Sequence, residues 1–141
     1  DDGYRSVLED LVEQLGLSAK VKFIGYIAPL AAAYQDADVL VYPSVYEIFG
    51  LVPFEALLCG TPVIVTDDCG CGEIIKKAEC GYLVHYGDVA GLGEALKFAL
   101  EHPDVNKRMV EAGRRYIEEH LAWGGVVKQV EEMYEDCIQN I

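Results

Sequence analysis

The stretch from residue 38 to residue 66, DVLVYPSVYEIFGLVPFEALLCGTPVIVT, decides the fold. Residues 38–43 (DVLVYP) and 62–66 (PVIVT) are short, apolar and rich in β-branched or aromatic side chains, and a Pro bounds each, which is the pattern of a strand. Between them Leu51–Cys59 is an apolar run that suits a helix. Strands that are apolar along their whole length have no polar face to show to water. They therefore belong to a parallel sheet covered on both sides by helices.

The same alternation extends outward in both directions. Towards the start, Val7, Leu8, Leu11, Val12 and Leu15 recur at helical spacing with Gly16 at the C-terminal cap. Residues 21–25 (VKFIG) predict a strand, and residues 30–37 a short Ala-rich helix. Towards the end, residues 73–78 suit a helix and residues 81–84 (GYLV) a strand. Three helices then close the chain, with stripes at Leu92, Ala95, Leu96, Ala99 and Leu100, at Val105, Met109, Ala112 and Tyr116, and at Val126, Val130, Met133, Tyr134 and Cys137. Residues 122–125 form the hinge before the last helix, and Trp123 is expected to anchor that helix by burying its ring. The expectation is one α/β domain over residues 1–141, a doubly wound parallel sheet closed by C-terminal helices.

The net charge of −13 excludes nucleic acid and anionic membrane surfaces as partners, because both are bound through excess Lys and Arg. Between Phe23 and Ile75 there is no Lys or Arg, while Asp36, Asp38, Glu47, Glu55, Asp67, Asp68 and Glu73 all fall there. An anion bound in that window needs donors other than side-chain cations. No apolar run approaches the roughly 20 residues of a membrane span. The five cysteines are odd in number and follow no secretory leader, so reduced thiols and a cytoplasmic location are expected. The opening Asp1-Asp2-Gly3-Tyr4 lacks an initiator Met and is read as the edge of a cut-out piece.

Open α/β sheets bind ligands beyond the carboxyl ends of their strands, so the loop at residues 43–50 (PSVYEIFG) holds the candidate site. Gly50 lets the backbone approach closely, Pro53 suits a first helical turn, and the amides near Gly50, Leu51 and Val52 are free to face an anion. Ser44-x-x-Glu47 also fits a capping box. A helix starting there would, however, hold Gly50 and Pro53 in its interior, at costs of about 1 and 3 kcal/mol. The residues leave Glu47 open between a ligand-facing and a structural role. For Glu55 they favour a carboxylate that complements the helix dipole.

A second Gly-rich turn at residues 66–73 (TDDCGCGE) also leads into a helix. Gly70 and Gly72 there permit positive φ and close backbone approach, and Glu73 is placed to cap the helix or to bond a hydroxyl. Cys69-x-Cys71, with Cys59 and Cys80 nearby, lacks the paired spacing and adjacent His of a zinc site. No metal is expected, and these cysteines read as small residues packed at a tight turn. His85, His102 and His120 read as surface or helix-end residues.

The run PSVYEIFGLVPFEALLCGTPVIVTDDCGCGEII resembles the C-terminal domain of retaining glycosyltransferases of family 4, which have the GT-B fold. The resemblance rests on the Glu-x7-Glu element (Glu47 and Glu55), the Phe49-Gly50 before the helix, the CGTPVI strand entry and the following Gly70 to Glu73. Flanking segments Phe23-Ile24-Gly25, Ala37-Asp38-Val39, Gly81-Tyr82-Leu83-Val84 and Gly87-Asp88 agree with it, so it covers nearly the whole chain. It implies a Rossmann-like domain that binds a nucleoside-diphosphate sugar as donor substrate, with no cofactor. It implies that Glu47 contacts donor-sugar hydroxyls and Glu55 the ribose. Amides at Gly50, Leu51 and Val52 would approach the sugar and diphosphate, and Tyr26 and Ile27 would border the nucleobase.

Two departures accompany the resemblance. Cys69-Gly70 stands where many relatives have Gly-Gly. The Arg-bearing strand and the Lys that clamp the diphosphate in relatives have no counterpart here, which implies a sheet lacking its N-terminal strands and a separate N-terminal acceptor-binding domain as partner. The expectation is a donor-binding piece inactive alone, whose open sheet edge favours self-association. The alternative is a non-catalytic nucleotide-sugar-binding module or an interaction domain of a split enzyme.

Overall fold

A computed structural model describes residues 2–139; Asp1, where the sequence opens, lies outside the described residues. Helix α1 (Asp2–Gln14) forms where the apolar spacing predicts it. It ends at Gly16, whose φ of 67° opens a paired closure in which the Gly16 amide donates to the Glu13 carbonyl and that of Leu17 to Val12 (both 2.9 Å). Helix α2 (Leu30–Gln35) precedes three strand–helix units: β1 (Leu40–Tyr42) with α3 (Leu51–Cys59), β2 (Val63–Thr66) with α4 (Gly70–Ala78), and β3 (Tyr82–Val84) with α5 (Val89–Glu101). Helices α6 (Pro103–His120) and α7 (Trp123–Gln139) complete the chain. No helix among the described residues is long and apolar enough to cross a membrane.

The sheet is parallel in the order β1-β2-β3, with Leu40 opposite Val63, Tyr42 opposite Val65, and Thr66 opposite Val84. Every residue of the central strand β2 is buried. Leu57 and Ile75, from α3 and α4, are fully buried in the core with Val63 and Val65, and α6 packs across both helices. Full burial of each such side chain contributes about 1.5–3 kcal/mol. The α/β architecture with a parallel sheet is therefore present.

Three sequence expectations need correction. Residues 21–25 form no strand. Apolar alternation supplies only half of a strand, since the backbone must also find a neighbour, and among the described residues β1 is hydrogen-bonded to β2 alone. Trp123 does not anchor α7: the residue is 83% exposed, and α7 buries none of its described residues because α6 is its main neighbour. Gly70 and Gly72 are not at positive φ, because they form the first turn of α4.

Candidate functional site

The carboxyl ends of β1, β2 and β3 lie side by side at Tyr42, Thr66 and Val84. The loop leaving β1 is pinned to the neighbouring unit at two points: the Thr66 hydroxyl donates to the Ser44 carbonyl, and the Gly70 amide donates to the Glu47 carbonyl at 3.0 Å. A side chain at residue 70 has no room, since a Cβ there would stand 1.9 Å from the Ile48 carbonyl oxygen. The first turn of α4 thus grips the backbone of the loop. This is the close approach expected at Gly70, made to the protein's own chain.

Gly50 ends the loop as the N-cap of α3, at φ 78° and ψ 84°, a conformation that strongly favours glycine. No side chain caps this helix. The amides of its first turn, including Leu51 and Val52, therefore point out of the helix as donors with no side-chain acceptor, an arrangement that attracts anions. The Glu47 side chain lies against the cap, with its Cγ 3.0 Å from the position a Gly50 Cβ would take. No helix starts near Val45, so the capping-box alternative is excluded.

Each carboxylate of the Glu-x7-Glu element accepts a hydrogen bond from a tyrosine. The Tyr42 phenol donates to Glu47 Oε2 at 2.8 Å, and the Tyr34 phenol, from α2, donates to Glu55 Oε2 at 3.2 Å. The bond to Glu47 is the main cause that pushes the Tyr42 phenol up to about 12. The Tyr34 phenol is raised first by burial and then by its bond to Glu55. Glu55 is the fifth residue of α3, beyond the first turn, so the dipole role favoured for it does not describe its contacts. It borders two apolar hollows, one of about 330 Å³ lined by Leu30, Ala31, Tyr34 and Leu58, and one of about 320 Å³ lined by Phe49, Leu51, Phe54 and Ile117. Phe49 is half-exposed, its ring centroid 5.4 Å from that of Phe54.

Tyr26 and Ile27 lie in the irregular segment before α2, and Tyr26 is 96% exposed. Leu30 and Ala31, just beyond them, share a hollow with Glu55. Glu73 is exposed in the first turn of α4, where its charge complements the helix dipole without a capping bond. The sulfurs of Cys69 and Cys71 lie 3.0 Å apart, buried behind the loop, and burial pushes the Cys71 thiol up to about 12.

Sequence reasoning missed Tyr34 and Tyr42, and a cluster of Asp67, Asp68 and His85 whose ligand-type atoms all lie within 4.8 Å of one another. His85 Nδ1 lies 3.0 Å from Asp67 Oδ1 on the exposed rim. The parallel register supplies the signal that was available: Thr66 faces Val84, so the residues that follow each of them are neighbours.

An uncharacterised glycosyltransferase of Methanocaldococcus jannaschii is 35% identical over 137 residues, which is 96% of this chain and 35% of that protein. The structure of sucrose-phosphate synthase from Thermosynechococcus elongatus superposes with a TM-score of 0.83 at 33% identity, over 99% of this chain and 35% of that one. HepE of Anabaena, in complex with UDP, shares the fold with a TM-score of 0.86 at 23% identity, over 96% of this chain and 37% of that one. The chain thus spans about a third of the length of these proteins. The family described as Glycosyl transferases group 1 matches residues 1–116, so all three strands of the described sheet, both Gly-bearing helix starts and the two tyrosine-held glutamates lie inside the match, and the chain belongs to that family.

Proposed function

We propose that this chain is the C-terminal, donor-binding domain of a family 4 glycosyltransferase that uses a nucleoside-diphosphate sugar and retains the anomeric configuration. The observation that carries the reading is the meeting of the Glu47 carboxylate with the uncapped N-terminus of α3 at Gly50. A sugar diphosphate presents hydroxyls and negative charge side by side. Glu47 is an acceptor for the hydroxyls, and the amides of Leu51 and Val52 are donors for the charge. During transfer the leaving diphosphate gains charge, which fixed helix amides offset without reorganising. Glu55, at the rim of two apolar hollows, is suited to the ribose, with Tyr26 and Ile27 near the base.

The reading is supported by membership of a glycosyltransferase family and by the UDP bound in a protein of the same fold. No Lys or Arg lies between Phe23 and Ile75, so a cation for the diphosphate has to come from outside that window. The chain alone is therefore expected to bind donors weakly and to transfer nothing. Backbone NMR of this chain titrated with uridine, guanosine and adenosine diphosphate sugars tests the site. Shifts at Gly50, Leu51 and Val52 at millimolar concentration are expected, whereas shifts confined to other elements overturn the assignment. In the transferase that contains this domain, Glu47→Gln is expected to cut turnover strongly, and unchanged turnover overturns the role of Glu47.

A further inference from the structure

Glu47 is fixed at three points. Its carbonyl accepts from the Gly70 amide, its Cγ rests against Gly50, and its Oε2 accepts from the Tyr42 phenol. The first two contacts set where the residue stands. Only the third sets where the carboxylate points, and among the described residues the Tyr42 phenol is that carboxylate's one hydrogen-bond donor. Tyr42 is the last residue of β1, and a strand end packed against the core is a rigid base from which to hold a carboxylate. The phenol occupies Oε2 and leaves Oε1 free.

We propose that Tyr42 is a positioning residue for Glu47, holding Oε2 so that Oε1 is presented to a hydroxyl of the donor sugar beside the N-terminus of α3. The inference rests on the reading of Glu47 as the sugar contact, and goes beyond it by naming the group that aims it. A free glutamate loses rotamer freedom when it orders around a ligand, and a carboxylate already ordered by its own protein binds without that loss. The phenol also remains a donor at every physiological pH, because the carboxylate beside it holds its proton in place.

The test compares wild type, Tyr42→Phe and Glu47→Gln of this chain by NMR titration with UDP-glucose and, separately, with UDP. Tyr42→Phe keeps the ring and removes only the hydroxyl. It is expected to weaken UDP-glucose by about three- to ten-fold, the effect of one hydrogen bond, and to leave UDP unchanged, because UDP lacks the glucosyl group whose hydroxyls Glu47 would meet. A loss for both ligands equally indicates damage to the fold and overturns the positioning role. If Glu47→Gln weakens UDP-glucose and Tyr42→Phe does not, the positioning role fails while the site reading stands. If Glu47→Gln changes neither ligand, or wild type binds neither, the site reading fails and takes the inference with it. A second readout needs no ligand: absorbance titration of the phenols is expected to show one tyrosine near 12 in wild type, moved down in Glu47→Gln. A tyrosine profile identical in the two proteins overturns the hydrogen bond itself.

Discussion

Helix α3 and helix α7 are both amphipathic or apolar stretches that the sequence marks clearly as helices, yet they end in different surroundings. In α3, Phe54, Ala56 and Leu57 are buried between the sheet and α6. In α7, Met133, Tyr134 and Ile138 are each more than half exposed, and none of its described residues is buried. Helix α1 resembles α7, with Tyr4 and Val7 more than half exposed. Apolar spacing specifies the helix and the face it offers. Burial of that face requires a second layer, and among the described residues the elements from α2 to α6 supply one to each other.

Paired substitutions break this comparison most directly. Leu57→Ala leaves a void in a fully buried position and is expected to destabilise the chain by about 2–5 kcal/mol. Trp123→Ala removes a larger side chain from an exposed position and is expected to change stability by less than about 0.5 kcal/mol. Urea unfolding of the two variants measures the contrast, and comparable losses in both would show that α7 is covered in solution. The glycines give a smaller contrast of the same kind. Gly70→Ala drives a Cβ into the Ile48 carbonyl and is expected to cost roughly 1–3 kcal/mol. Gly124→Ala meets nothing within 4 Å in α7 and is expected to gain about 0.4–1 kcal/mol by restricting the unfolded chain. Equal signs for the two would remove the distinction between a gripped helix start and an open one.

The same contrast explains what the sequence could reveal. The units from β1 to β3 were legible because strand, helix and turn signals there agree with the packing, down to the bounds of α3. Residues 21–25 misled because a strand is a property of two chains of backbone, and the pattern of one says nothing of its partner. Trp123 misled for the related reason that a large ring predicts a pocket only where another element builds it. In the site, the spacing of Glu47, Gly50 and Glu55 pointed to the loop and the helix after it, and the fold brought Glu47 against Gly50 at the start of α3, with Glu55 one turn further along that helix. The tyrosines were invisible because Tyr34 lies 21 residues from Glu55, and Tyr42 reads as a strand residue with no reason to turn towards its own loop.

The mildest expected effect lies on the rim of the well-packed region, where exposure returns. The hydrogen bond to Asp67, and then the charges of Asp67 and Asp68, raise the His85 imidazole above its ordinary value near about 6.5. Because the folded chain holds this proton more tightly than the unfolded one, any stabilisation is complete below the unfolded value and fades as pH rises through the folded value. Both partners are largely open to water, which screens the pair, so the effect belongs to titration more than to stability. NMR titration of the His85 ring is expected to show a midpoint above the ordinary value, lowered by Asp67→Asn, with the unfolding midpoint of the variant unchanged. A His85 midpoint at or below the ordinary value would show that the Asp67 contact does not form in solution. A marked loss of stability in Asp67→Asn would instead place this rim with the buried strands, and the boundary between packed interior and exposed surface would have to be drawn one residue further along β2.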